Sequence, residues 1–327
     1  MRLRHLLVPI AAAASALAAA PAHAATVLDT TPLPTRVAAW NGTVAWSAFD
    51  APANAWRLVF STNGAAPVAA PVAPSPAPFD VDLGTNRNGS TYAVYTRCAT
   101  PPANQAINAR GTGCDIYRLS VTTGREEHLT ALSSPTRDER DPTIFRGEIA
   151  FLRDEPVGGR RGSTLRVANT TSGAHGTRVL AKTNTSSLQD PELTYDRVAY
   201  VVSSRDARGF GRQEVHVRTL SGRSARNVYQ AVSGGANEAD IWGLSLATDN
   251  LHAFVWARTN DGSGQGNRIV RYDDGARHLT YALGSSRYRS VGDAGGDTGI
   301  VVSSENVAGA QTSAVVQLGR LEFRATP

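Results

Sequence analysis

One pattern recurs along this chain at intervals of about 50 to 60 residues, and it restricts the possible folds more than any other feature. "RDPTIFRGEIAFLRDE", from Arg140, matches "QDPELTYDRVAYVVSSRD", from Gln189, with Asp-Pro at the same place and an apolar run at the same distance. "FDVDLGTNRNGSTYAVYTR" from Phe79 and "ADIWGLSLATDNLHAFVWAR" from Ala239 keep the Asp. "TRVAAWNGTVAWSAFD" from Thr35 and "RSVGDAGGDTGIVVSSE" from Arg289 are weaker copies. The anchors are Asp80, Asp141, Asp190 and Asp240, with one degenerate unit on each side, which makes six units.

Within a unit, a short extended piece leads through a turn rich in Gly, Asp or Asn to a run such as "EIAFL", "RVAYVV" or "HAFVWA". A Gly-rich loop follows, then an alternating segment ending in Gly ("DIYRLSVTTG", "EVHVRTLSG"), then a fourth piece such as "EEHLTAL", "NVYQAV" or "RLEFRAT". The second run is apolar on both faces, as a strand sandwiched between neighbouring sheets must be. Four antiparallel strands per unit and no convincing helix predict an all-β fold: a six-bladed β-propeller of four-stranded antiparallel blades. The expected blades are 35–77, 78–134, 135–187, 188–237, 238–287 and 288–327, within a single domain 25–327. A seventh blade would have to come from the proline-rich "PVAAPVAPSPAP", which pairs poorly with strands.

The repeat resembles that of TolB-type β-propellers: Asp-Pro, an apolar residue, a few turn residues, then an Ile-Ala-Phe type run, most closely from Asp141 to about Ala207. The resemblance implies a periplasmic or extracellular protein-binding propeller. Related propellers also serve as regulatory domains of serine peptidases and in some polysaccharide lyases. TolB itself carries an α/β domain before its propeller. Here blade material starts about ten residues after the expected leader, so an equivalent role in the Tol system is not expected.

Arg2 and Arg4 precede a short apolar run that finishes in Ala22-His23-Ala24, the signature of a signal peptide over 1–24, and export follows from it. No segment approaches the roughly 20 apolar residues a membrane span needs. The formal charge of +5 falls to about +3 once Arg2 and Arg4 are removed, too mild to argue for nucleic acid. Cys98 and Cys114, the only cysteines, are expected as a disulfide rather than as part of a metal site, since no His lies close to either.

The loops between second and third strands and the links between units should share one face of the propeller. They place Arg160, Arg161, Arg208, Arg212, Arg258 and Arg268 there, with Arg137 and Arg140 from an inter-blade link. Guanidinium groups offer forked donors to carboxylates and phosphates, so the ligand expected at this face is an unknown protein or an anionic envelope component. The bland alternative is that these arginines are solvated or paired with Asp138, Glu139, Asp154, Glu155, Asp206 and Asp261. Asp80, Asp141, Asp190 and Asp240 would ring the mouth of the central channel, either as turn-forming residues or as ligands for a structural Ca2+; no other cofactor or metal is expected.

His128, His175, His216, His252 and His278 carry no recognisable catalytic spacing. G-x-S-x-G, H-E-x-x-H and phosphate-loop motifs are absent from the sequence. The favoured reading is a monomeric, exported, non-catalytic binding module. A hydrolase or lyase with an axial pocket and a secreted scaffold are the alternatives.

Overall fold

The computed structural model describes residues 26–104, 110–169 and 176–221, and beyond them the strand segments given below. The expected signal peptide, the loop pieces 261–265 and 306–312, and His175 lie outside the described residues. Strand β1 (Thr26–Thr31) comes first. The first full blade is β2 (Val37–Trp40), β3 (Thr43–Asp50), β4 (Ala55–Thr62) and β5 (Val68–Ala69). The second is β6 (Asp82–Thr85), β7 (Thr91–Thr100), β8 (Thr112–Ser120) and β9 (Glu126–His128). The third is β10 (Glu139–Phe145), β11 (Glu148–Val157), β12 (Arg160–Asn169) and β13 (Arg178–Thr183). The fourth is β14 (Ser187–Thr194), β15 (Arg197–Arg205), β16 (Gly211–Thr219) and β17 (Ala225–Val232). Each is an antiparallel meander in chain order, which defines a β-propeller of four-stranded blades.

Two further sheets follow. One orders β18 (Glu238–Leu246), β19 (His252–Asn260), β20 (Gly266–Asp273) and β21 (His278–Ala282). The other contains β22 (Arg287–Asp293), β23 (Ile300–Glu305) and β24 (Ser313–Gln317), and its outer strand is β1, brought from the opposite end of the chain with Thr26 against Gln317 and Thr31 against Ser313. The repeat pattern puts "RLEFRAT" in that outer position. Its strand, β25 (Arg324–Ala325), lies instead beside β21 as a fifth strand of the preceding sheet.

The hydrophobic core lies between sheets. Ala45, Trp56, Leu58, Phe79, Tyr95 and Leu119 join the first two blades; Val94, Ile116, Ile144, Ile149 and Phe151 join the second and third. Leu152, Leu165, Leu188, Val198 and Tyr200 join the third and fourth. Runs such as "EIAFL" are therefore apolar on both faces because both faces meet a neighbour. Trp46 is fully buried and donates from Nε1 to Asp29 Oδ2 at 2.9 Å, which fastens the first blade to the closing strand.

Neighbouring inner strands are also stitched by hydrogen bonds. The Ile144 amide donates to Asp82 Oδ2 at 3.0 Å, and the Leu193 amide donates to Thr143 Oγ1 at 3.0 Å. Close approach at the second blade requires a glycine. A Cβ on Gly84 would sit 1.9 Å from the Ile144 carbonyl oxygen, which is backbone and cannot move aside.

Candidate functional site: the axial cup

Asp-Pro is the device that builds the site. In β10 the ladder register shifts between Arg140 and Thr143, and in β14 between Gln189 and Glu192, so each Asp-Pro pair is a β-bulge. Asp141 and Asp190 take positive φ, 46° and 44°, a conformation Asp tolerates better than most side chains. The bulge re-aims each carboxylate toward the propeller axis. Arg36, Asp80, Asp82, Asp141, Asp190, Glu192 and the two prolines line a cavity of about 50 Å³ there, closed on the remaining side by Gly243 and Leu244. Below it a second cavity of about 40 Å³ continues along the inner strands past Ala39, Trp40 and Leu193. Asp82 and Glu192 line both, and so form the neck between them.

Three guanidinium groups converge on Asp141, whose side chain is only 3 % exposed. Arg36 Nη1 bridges Asp141 Oδ1 at 3.3 Å and Asp190 Oδ1 at 2.7 Å. Arg110 Nη2, from the loop between β7 and β8, reaches Asp141 Oδ2 at 2.6 Å. Arg140 Nη1 lies 3.3 Å from the same oxygen and also donates to the Leu188 carbonyl at 3.1 Å, while its Nε donates to Asp154 Oδ1 at 2.9 Å. Burial alone would raise the Asp141 carboxyl, but Arg110, Arg36 and Arg140 outweigh it and hold the group below the ordinary carboxylate range. Burial likewise opposes the charge on Arg36, and Asp190 and Asp141 overcome it, so the guanidinium is held above its usual value.

Deeper in the cup the balance reverses. Burial pushes the Asp82 carboxyl up to about 6, against the hydrogen bonds from the Ile144 amide and Thr143. Glu192 is pushed well above the usual range by burial and by its neighbours Asp82 and Asp190. Asp80 is raised by burial and by Asp141, with Arg36 and Arg110 acting in the opposite direction. Among the described residues no guanidinium forms an ion pair with Asp82 or Glu192.

The expected surface arginines separate into several kinds. Arg140, expected on an exposed face, is buried at 6 % exposure and fully engaged inside the molecule, because the residue before the bulge faces the core between blades. Arg137, Arg160 and Arg161 are exposed, the latter two opposite Val157 and Pro156 beyond the Gly158-Gly159 turn. Arg208 pairs with Asp206 in its own turn, and Arg212 with Glu214 on its own strand. Arg258 and Arg268 occupy adjacent strands, in register with Asn267 and Ala257; their side chains, and that of Asp240 opposite Arg258, lie outside the described residues.

Of the repeated aspartates, Asp80, Asp141 and Asp190 meet at the axis as the spacing implied, but what they face is guanidinium. Among the described residues no three His, Cys, Asp or Glu side chains form a metal-holding group. A larger, open groove of about 660 Å³ lies on the side of the third blade, lined by Val157, Val179 and Leu180 together with Thr164, Lys182 and Arg218, whose guanidinium donates to the Leu180 carbonyl.

Arg36, Arg110, Asp82 and Glu192 escaped the sequence reading, although the repeat held the signal for three of them. In the weak first copy, "TRVAAWNG", Arg36 occupies the column filled elsewhere by Asp80, Asp141 and Asp190. Asp82 and Glu192 share the column two residues further on. A guanidinium in a column that is acidic in three neighbouring copies is what a ring of inner strands would show.

Cys98 and Cys114 form a disulfide at directly opposed positions of β7 and β8, which is compatible with an exported protein. Among the described residues no helix is long and apolar enough to cross a membrane.

Comparison with known proteins agrees with the architecture. No family model matches the chain, and no curated protein does either, so the TolB-type resemblance of the repeat has no support beyond the propeller fold. Among solved structures, a glucose dehydrogenase is 11 % identical with a TM-score of 0.52, covering 90 % of this chain and 99 % of its own. Oligogalacturonate lyase from Vibrio parahaemolyticus is 8 % identical with a TM-score of 0.50, over 89 % of this chain and 80 % of its own. A puromycin-hydrolyzing peptidase from Mycobacterium tuberculosis is 16 % identical with a TM-score of 0.46, over 88 % of this chain and 45 % of its own. The chain spans about half the length of the peptidases it matches. At these identities the likeness is one of fold.

Proposed function

We propose that this protein is an exported, ligand-binding propeller whose site is the axial cup, and that the cup receives a cationic group, the ammonium or guanidinium of a protein segment. The sheets described support a ring closed by six blades, with β1 completing the last. The observation that carries the reading is the mismatch of charge at the axis. Among the described residues, five carboxyl groups, Asp80, Asp82, Asp141, Asp190 and Glu192, line the cavity with one guanidinium, Arg36, while Arg110 and Arg140 pair with Asp141 and the latter is shared with Asp154. Burial holds the Asp82 and Glu192 carboxyls above the ordinary range, and among the described residues no guanidinium pairs with either. An incoming cation supplies that partner and favours the ionised form.

The loop-rich face remains the binding face, with its centre moved from the rim to the axis. Arg137, Arg160 and Arg161 on the rim would meet acidic groups of the same partner. Titration calorimetry with N-acetyl-arginine amide tests the reading. Binding should strengthen from pH 5.5 to pH 8, as the Asp82 carboxyl, pushed up to about 6, gives up its proton, and weaken in Glu192→Gln. Binding equal at both pH values and unaffected by Glu192→Gln would overturn it.

One observation favours an enzyme as a second reading: Glu192, pushed well above the usual carboxylate range, and Asp141, held below it, line the same cavity, and two carboxyl groups driven apart in this way suit acid–base chemistry. Turnover of a peptide or oligosaccharide panel that disappears in Glu192→Gln would establish it. Turnover that persists in that variant would remove the axial cup from consideration as the catalytic centre.

A further inference from the structure

Arg110 differs from the other guanidiniums at the axis in where it comes from and how it is held. Arg36 and Arg140 adjoin or belong to inner strands, and each makes bonds to two or more residues. Arg110 arrives from the loop between β7 and β8 of the second blade and crosses to Asp141 on the third, its one ion pair among the described residues. Its Nε is buried and has no hydrogen-bond partner among the described residues. A buried donor left unsatisfied is costly, so this seat is the least secure of the three. Asp141 keeps two guanidiniums, those of Arg36 and Arg140, if Arg110 departs.

The base of the loop is nevertheless fixed so as to aim Arg110 at the axis. Gly111 is wedged so tightly that a Cβ would lie 2.2 Å from the Thr100 carbonyl oxygen and 2.7 Å from Cys98 Cβ. The Cys98–Cys114 disulfide closes the hairpin just behind it. Asp138 Oδ1, on the link into the third blade, accepts from the Gly113 and Cys114 amides at 2.6 and 3.0 Å. Rigid anchoring below and an incompletely satisfied side chain above describe an arm held in position, with a tip that is easily displaced.

We propose that Arg110 is an internal stand-in for the ligand: its guanidinium occupies the cup's cation seat on Asp141, and the side chain of a basic peptide displaces it. The inference rests on the cationic reading of the cup and adds to it an autoinhibitory residue and a preferred ligand group, guanidinium. Exchange of one guanidinium for another leaves the charge around Asp141 unchanged, so displacement carries no electrostatic penalty there. A seat filled by Arg110 nine-tenths of the time weakens the apparent affinity about tenfold.

The test is titration calorimetry of N-acetyl-arginine amide at pH 8 against the full protein and three variants. Arg110→Ala and Arg110→Gln should each bind about tenfold more tightly than the parent; Gln keeps a polar side chain should Ala disturb the loop. Arg125→Ala removes an exposed charge of the same sign from the turn after β8, at the opposite end of the blade, and should leave affinity unchanged. If the parent binds the probe and neither Arg110 variant binds it more tightly, Arg110 is an inter-blade tie and the proposal fails, with the cationic cup intact. If neither the parent nor the Arg110 variants bind the probe, the cationic cup itself is wrong.

Discussion

Replacing Asp82 by Asn isolates the electrostatic cost of the axial neck. Asn has the same shape and retains an acceptor oxygen for the Ile144 amide, so the stitch between the second and third blades is preserved. What changes is titration. The folded-state carboxyl is pushed up to about 6 from the ordinary 3.8, chiefly by burial. The unfolded chain therefore ionises first as pH rises, and the native state loses stability between those two values; below 3.8 the contribution is intact. At 1.36 kcal/mol for each pH unit, the whole gap corresponds to about 3 kcal/mol, of which about 2 kcal/mol falls between pH 4.5 and pH 8. Urea unfolding of both proteins, followed by tryptophan fluorescence at several pH values, gives the difference directly. Asp82→Asn should gain about 2 kcal/mol relative to the parent across that range. A difference that stays flat with pH, or that shrinks as pH rises, would refute the claim that Asp82 lacks a compensating cation.

Arg140→Met should destabilise by about 1 to 3 kcal/mol, chiefly by leaving the Leu188 carbonyl without its donor, since Asp141 keeps Arg36 and Arg110; thermal unfolding checks it. Gly84→Ala should fold poorly or not at all, since its Cβ meets main chain rather than a movable side chain, and soluble yield with circular dichroism would show this. Asp29→Ala should cost about 1 to 3 kcal/mol by leaving the Trp46 indole N–H buried without an acceptor, and should shift tryptophan fluorescence. The Cys98→Ser/Cys114→Ser double variant should lose about 3 kcal/mol of stability in urea.

The propeller was legible because each blade repeats the same solution to the same problem. An apolar second strand between two sheets needs hydrophobic residues on both faces, and the alternation of the third strand shows where the sheet turns toward solvent. Asp141-Pro142 and Asp190-Pro191 were visible as repeated anchors, and their turn-like character appears as bulges with positive φ. Side-chain direction was not legible. Arg140 reads as one charge among many in "TRDERD", and only the bulge at the next residue decides that it turns inward. Arg110 was hidden for a different reason: its partner, Asp141, lies on another blade, and nothing local in "NARGTGC" marks the loop as reaching the axis. The outer strand of the last sheet was assigned to the wrong terminus because strand pairing between chain ends leaves no trace in a repeat.

The pairing of Thr26 with Gln317 also governs how the molecule must be assembled. β1 finds its partner across about 290 residues of chain, and closing so long a loop is entropically costly, which favours late formation of this contact. Until then β24 is an open edge, with its backbone donors and acceptors unpaired. The β1 segment of a second copy fits that edge in the same register, and refolding at high concentration should therefore yield strand-exchanged oligomers that dilute refolding avoids.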